Sequence, residues 1–285
     1  MREDDPLVTA DWLAARLDAP DIRILDASWF MPGDPRDARA LYAASRIPGA
    51  IYFDIDEIAD TNSSLPHMLP SAEKFASRMR ALGVGDGARV IAYDRTGVFS
   101  AARVWWMFRV MGHDDVVVLD GGLPAWESAN LPIDTDPPSP RTARHFSARY
   151  RADLVRNLSD MRDIVGDGAA HILDARPAGR FLGSAPEPRP GLKQGHMPGA
   201  LNAPMPSLLT PDGRMKGADE LRAYFDALGA ADANAIVCTC GSGVSAAVIA
   251  LALARVGRWD AAIYDGSWAE WGAYDDTAIV SDAAP

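Results

Sequence analysis

Short apolar runs alternate along the chain with longer segments whose apolar residues recur at helical spacing. In the second half, Leu158 to Val165 reads as a helix and His171 to Leu173 as a strand. Asp219 to Leu228 carries apolar residues at helical intervals and stops at Gly229. Ala235-Ile236-Val237-Cys238 reads as a buried strand, followed by a glycine-containing turn and a helix from Val244 to Val256. The first half repeats that order. Ser71 is placed to cap a helix stopping at Gly83, Val90-Ile91-Ala92 is a strand, and Ala101 to Met111 is a helix. Strands this apolar, alternating with helices, predict an α/β fold with a parallel sheet flanked by helices on both faces.

The halves also resemble each other in sequence. Ile24-Leu25-Asp26-Ala27 recurs as Ile172-Leu173-Asp174-Ala175, 148 positions on, and Arg46-Ile47-Pro48-Gly49-Ala50 as His196-Met197-Pro198-Gly199-Ala200, 150 positions on. Leu119-Asp120-Gly121-Gly122 recurs as Tyr264-Asp265-Gly266-Ser267 at an offset of 145. Drift of this size is what loop insertions produce, and a period this long points to a duplicated domain rather than a solenoid repeat. Leu131 to Arg149 has no periodicity and carries Pro132, Pro137, Pro138 and Pro140, which reads as a linker. The expected organisation is a first domain over 1–131, a linker over 132–149 and a second domain over 150–285.

Composition narrows the function. The 285 residues carry 39 acidic and 28 basic side chains, a formal net charge of −11, which argues against a protein that binds the phosphate backbone of nucleic acids. The most apolar stretch, Ala246 to Ala254, is about half the ~20 residues needed to span a bilayer, so a buried helix is expected and no membrane partner. The N-terminal Met1-Arg2-Glu3-Asp4-Asp5-Pro6 lacks the basic-then-apolar order of a leader, which sets a cytoplasmic expectation. His113, His145, His171 and His196 show no ligand spacing, so neither a metal nor another cofactor is expected. Only two cysteines are present, Cys238 and Cys240, too few for a disulfide scaffold.

Cys240 ends an apolar strand and opens the turn Gly241-Ser242-Gly243-Val244-Ser245 before a helix. At the carboxyl end of a parallel strand, a glycine turn can aim backbone N–H groups inward, and the helix terminus adds partial positive charge. Such a nest suits an anion, and a thiolate is one. An ordinary cysteine is roughly 3% thiolate at pH 7, whereas a depression of about two units would make it roughly three-quarters thiolate. A small buried hydrophobe is the plainer reading of a cysteine after a strand. The flanking glycines and polar Ser242, which packing would not require, favour a nucleophile. Cys238 lies about 6.6 Å away along the strand, with its side chain parallel to that of Cys240, and reads as packing rather than a disulfide partner. A phosphatase loop would need an arginine six positions after the cysteine, where Ala246 stands.

Cys240-Gly241-Ser242-Gly243-Val244-Ser245-Ala246 resembles the active-site loop of 3-mercaptopyruvate sulfurtransferases, within the two-domain rhodanese superfamily. The likeness extends over nearly the whole chain, including Arg103-Val104-Trp105-Trp106-Met107-Phe108-Arg109 and Tyr264-Asp265-Gly266-Ser267-Trp268. It implies tandem rhodanese-like domains and a Cys240 persulfide that receives sulfur from a small-molecule donor. The acceptor would be a small thiol, a thioredoxin-like protein or cyanide. Thiosulfate-preferring relatives carry arginine and lysine where this loop has Gly241 and Ser242, so the resemblance implies 3-mercaptopyruvate as donor, with thiosulfate as side activity.

The resemblance further implies that Arg180, in Gly179-Arg180-Phe181, and Arg189, in Glu187-Pro188-Arg189-Pro190, clamp the donor's carboxylate and carbonyl. Gly241, Gly243, Val244 and Ser245 would line its seat. Without the resemblance, Arg189 would read as a solvated surface charge. Ser242, His67 and Asp56 match a family relay that moves protons beside the cysteine, in an inter-domain cleft. On residues alone, His67 reads as a loop histidine with a structural hydrogen bond, and Asp54 competes with Asp56. The first domain's equivalent loop, Asp94-Arg95-Thr96-Gly97-Val98-Phe99-Ser100-Ala101, has a carboxylate at the nucleophile position and is expected to be inert. The loop's Ser245 replaces the usual threonine, which changes packing more than chemistry. Two other readings remain: a thiosulfate:cyanide sulfurtransferase, and a non-catalytic sulfur carrier or regulatory binding module.

Overall fold

The computed structural model describes residues 5–138, 141–230 and 233–282; residues 1–4 of the N-terminal reading and Pro140 of the linker reading lie outside these. The apolar runs form two five-stranded, wholly parallel sheets. The first comprises β1 (Leu7–Val8), β2 (Ile22–Asp26), β3 (Ile51–Tyr52), β4 (Arg89–Tyr93) and β5 (Val116–Leu119), in the order β1-β5-β4-β2-β3. The second comprises β6 (Val155–Arg156), β7 (His171–Asp174), β8 (Ala200–Asn202), β9 (Ile236–Thr239) and β10 (Ala262–Tyr264), in the order β6-β10-β9-β7-β8. The two orders are the same topology read twice, so the duplication seen in the residues is a duplication of architecture.

Each centre strand is buried on both faces, which is why β4 and β9 read as continuous apolar runs. The helices after them are correspondingly apolar. Ser100–Val110 is buried along its whole length, and Ala246–Arg255 is buried from Ala246 to Ala254. Ser71 caps the helix Ala72–Ala81 through its hydroxyl, which accepts from the Lys74 amide, and Gly83 follows with φ 74°. The helix expected from Val244 begins two residues later. Val244 and Ser245 close i→i+3 turns instead, their carbonyls accepting from the Ala247 and Val248 amides at 3.2 and 3.1 Å as the chain leaves the glycine turn.

The chain divides into two compact units: Met1–Thr61, Leu69–Arg151 and Leu209–Met215 form one, and Asn62–Met68, Ala152–Leu208 and Lys216–Pro285 the other. Each unit is thus completed by a short segment from the opposite half of the sequence. The described part of 132–149 lies with the first unit. Arg46 and Asp134 bridge through backbone and side chain, the His145 carbonyl accepts from the Asp86 amide, and Phe146 is buried against Phe75 and Phe108. Among the described residues no helix is long and apolar enough to cross a membrane, and no group of three His, Cys, Asp or Glu side chains could hold a metal.

Candidate active site

β9 lies between β10 and β7 in the second sheet and delivers Cys240 at its carboxyl end. Cys240 is buried. Gly243, with φ 80°, turns its N–H back to donate to Cys240 Sγ at 3.1 Å; a side chain would strain this left-handed backbone. The turn after β10 splints the loop from behind. The Cys240 amide donates to Ser267 Oγ at 3.3 Å, while the Trp268 and Ala269 amides donate to the carbonyls of Cys240 and Gly241, each at 2.9 Å. The nucleophile candidate is therefore held at its amide, its carbonyl and its sulfur. Ser242, Gly243 and Val244 are buried around it and Ser245 is half-buried.

Cys238 is a free, wholly buried thiol within β9. Burial pushes its pKa up, and the charge of Cys240 adds to that, so it stays a neutral packing group.

Arg180 comes from the short helix Ala178–Leu182. Its guanidinium stands over the first residue of the nucleophile loop, for a Cβ on Gly241 would meet Arg180 Nη2 at 3.0 Å. Gly241 is thus the residue that gives the cation room. Glu187 holds Arg180 there, accepting from its Nε at 3.1 Å and from its Nη2. The same buried carboxylate accepts from Arg176 Nη1 at 2.8 Å. Arg176 in turn forks onto Asp174 at the end of β7 and lies 4.0 Å over the Trp268 ring. A satisfied chain of charges, Asp174–Arg176–Glu187–Arg180, therefore runs from the sheet to the loop. Arg189 sits half-buried two residues beyond Glu187 in the same loop.

Sequence reasoning missed Arg176, Glu187 and Ser267 as parts of this site. Glu187 stood inside a motif noted only for Arg189. Ser267 was visible as the one change in a repeated Asp-Gly-Gly turn, where the first half has Gly122.

The relay candidates fall in different units. His67 belongs to the second unit, with Cys240, and is buried with a left-handed φ of 61°. Asp54 and Asp56 belong to the first unit. Asp54 caps the helix Ile55–Ile58, its Oδ1 accepting from the Asp56 and Glu57 amides at 3.1 Å, and its Oδ2 pairs with Arg39 at 2.9 Å. Asp56 Oδ2 accepts from Trp29 Nε1 at 3.0 Å.

The first unit builds the matching loop at the end of β4, with Asp94 in the place of Cys240. The Asp94 carboxylate is fully buried and accepts from the Thr96 amide at 2.8 Å and the Thr96 hydroxyl at 2.7 Å. It also accepts from the Phe99 amide at 2.8 Å and the Ala101 amide at 2.9 Å. Gly97, the counterpart of Gly243, also has positive φ, and its backbone packs against Gly213, where an added Cβ would meet Gly213 O at 2.5 Å.

Comparison with known proteins agrees with this architecture. The family model described as a rhodanese-like domain matches residues 9–129 and 157–274. The chain is 42% identical to the 3-mercaptopyruvate sulfurtransferase of Escherichia coli, over 95% of this chain and 96% of that protein. It is 41% identical to the thiosulfate sulfurtransferase of Bos taurus, over 93% of this chain and 91% of that one. The crystal structure of SseA from Escherichia coli, described with the catalytic mechanism of 3-mercaptopyruvate sulfotransferases, superposes with a TM-score of 0.83 at 41% identity. That superposition covers 93% of this chain and 99% of SseA. Two matched segments, one on each sheet, make this chain a member of the rhodanese-like domain family with two copies of the domain in tandem.

Proposed function

We propose that this protein is a sulfurtransferase that moves sulfur from 3-mercaptopyruvate through a Cys240 persulfide to a thiol or cyanide, releasing pyruvate. The observation that carries the reading is the Gly243 N–H aimed at Cys240 Sγ in a buried loop with the Arg180 guanidinium above it. The amide favours an anionic sulfur, whether thiolate or persulfide, and the cation favours an anionic donor beside it.

The balance needs no cofactor. The Cys240 thiolate attacks the donor's sulfur, the S–S bond forms and the donor's C–S bond breaks. The electron pair of that bond is left on carbon as the enolate of pyruvate. One proton completes pyruvate; the donor's own thiol proton suffices, leaving the persulfide as an anion. An acceptor thiolate or cyanide then takes the outer sulfur and restores the Cys240 thiolate.

Arg180 and Arg189 hold the donor's carboxylate and carbonyl, and Ser242, His67 and Asp56 assist the proton transfer. The duplication supports the role of His67. Its counterpart in the first unit, 146 positions on, is Gly213, which is also left-handed and packs on Gly97, the residue matching Gly243. Asp56 takes the relay place by its match to the family motif, while Asp54 caps its helix and pairs with Arg39. Two free thiols suit a reducing compartment, and we place the protein in the cytoplasm, with a small thiol or a thioredoxin-like protein as acceptor.

Thiosulfate is the second donor to test, because a relative named for it is 41% identical to this chain. With Gly241 and Ser242 in the loop, no side-chain cation follows the cysteine to meet a dianion, which favours 3-mercaptopyruvate. The test compares pyruvate release from 3-mercaptopyruvate with a reducing thiol against thiosulfate with cyanide, for the parent protein and for Cys240→Ser. The expected outcome is a preference for 3-mercaptopyruvate and loss of both reactions in the variant. Turnover by Cys240→Ser at the parent's rate would overturn the persulfide route, and a thiosulfate preference would overturn the donor.

A further inference from the structure

Ser267 has a left-handed backbone, φ 51°, which non-glycine residues adopt at a cost. The first unit solves the same turn with Gly122, φ 55°, at the matching position. The equivalence is geometric as well as sequential, since the residue after each donates to the carbonyl that ends the loop strand. Leu123 N donates to Asp94 O and Trp268 N to Cys240 O, both at 2.9 Å. In the first unit the turn is closed tightly, so that a Cβ on Gly122 would meet Asp94 O at 2.2 Å. In the second unit the surroundings make room for a real side chain.

That side chain is fully buried, and its hydroxyl has two bonds. It donates to the Tyr264 carbonyl at 2.9 Å and accepts from the Cys240 amide at 3.3 Å. A serine that merely filled space would be better replaced by glycine at this φ. Its hydroxyl instead ties the backbone of the nucleophile candidate to the end of β10, at a turn where the first unit has glycine.

We propose that Ser267 is a positioning residue for Cys240: anchored on Tyr264, its hydroxyl fixes the Cys240 backbone so that the Gly243 N–H meets the sulfur. This rests on the reading of Cys240 as the nucleophile. Ser267 touches no reacting atom and acts through the orientation of Cys240. Losing the tether lets the cysteine rotate off the amide, so its thiolate is less favoured and its persulfide less well held.

The test uses Ser267→Gly, which removes the hydroxyl and relieves the backbone, and Ser267→Ala, which removes the hydroxyl and keeps the cost. Alkylation of Cys240 by iodoacetamide, located by mass spectrometry, is followed across pH beside steady-state pyruvate release and thermal unfolding. Both variants are expected to show a higher pH midpoint of alkylation and a kcat lower by roughly three- to tenfold at unchanged KM. Ser267→Gly is expected to unfold at a higher temperature than Ser267→Ala, while the two share the same kinetic defect.

An alkylation profile superimposable on the parent's in either variant would overturn the proposal. So would a kinetic loss that follows thermal stability from one variant to the other, or failure of both to fold, since each makes Ser267 purely structural. Because alkylation reads the cysteine without any sulfur donor, a failure here is separable from an error about the reaction, which the Cys240→Ser comparison detects.

Discussion

The Asp94 loop and the Cys240 loop start at the same place in matching sheets and lead into matching buried helices, yet one wraps a carboxylate of its own and the other a sulfur. In the first unit the anion that the loop is shaped for is part of the chain. The Asp94 carboxylate takes three loop amides and a hydroxyl, and Gly213 seals the turn. In the second unit the inward amide meets a sulfur instead, a poor hydrogen-bond acceptor when neutral and a good one when charged. The neighbouring cations differ in the same sense. Arg95, next to Asp94, turns inward onto the carbonyls of Leu41 and Ser45. The residue next to Cys240 is a glycine, and Arg180 from another element occupies the space above it. An anion nest can thus serve stability or reactivity, depending on whether its anion is built in.

The comparison is broken most sharply at Arg180. Arg180→Ala removes the cation that stands over Gly241, while Glu187 keeps Arg176 as a partner. A charged hydrogen-bonding group contributes about 2–3 kcal/mol, so kcat/KM for 3-mercaptopyruvate should fall roughly a hundredfold, chiefly through KM. Steady-state kinetics beside the alkylation rate of Cys240 would check this, and an unchanged KM would remove Arg180 from donor binding.

A stability effect comes next. Asp94→Ala leaves buried amides of the closed loop without their acceptor, at a cost of about 2–4 kcal/mol. Urea unfolding should show the loss, while the activity of the folded protein at Cys240 persists. A fully stable variant would mean that the Asp94 carboxylate is not what holds that loop.

The smallest effect concerns the matched carboxylates Asp26 and Asp174. Asp174 faces the Arg176 fork, whereas Asp26 faces the Tyr93 hydroxyl, with Arg95 Nε at 4.0 Å. Burial raises the Asp26 pKa, outweighing the bonds from Ser28 and Tyr93. A raised carboxyl pKa means that the folded state holds its proton more tightly than the unfolded chain. The contribution is therefore full at pH below the unfolded value and is lost as pH rises through the folded one. Asp26→Asn should gain stability relative to the parent as pH rises from about 4 to 7. Asp174→Asn should lose stability at pH 7 by weakening the Arg176 pair. Thermal midpoints at the two pH values distinguish these outcomes.

Much of this was legible in the residues. The apolar runs at Val90–Ala92 and Ala235–Cys238 announced the centre strands, because a strand buried on both faces has nowhere to put polar side chains. The caps at Ser71 and Gly229 marked helix ends through local hydrogen bonding and left-handed backbone, both properties of neighbouring residues. The last long helix starts two residues after the point its sequence predicts, since nothing local shows that Val244 and Ser245 are spent on leaving the turn. Glu187 carries no such local signal, because a carboxylate between prolines reads as a solvated charge until Arg176 and Arg180 converge on it.

From its residues alone the chain therefore declared a duplicated parallel α/β domain, and with the family resemblance it set the expectation of a nucleophile at Cys240 and an inert loop at Asp94. The domain and its duplication rest on periodicity, local backbone chemistry and repetition, all of which act over short stretches or by simple comparison. Folding alone revealed what stands around the sulfur. Cys240 is tethered to Ser267, 27 residues away, and Arg180 is kept over Gly241 by a carboxylate that also answers a second arginine. Such contacts join side chains from different strands and loops, and their geometry comes into being only when the sheet sets those segments side by side.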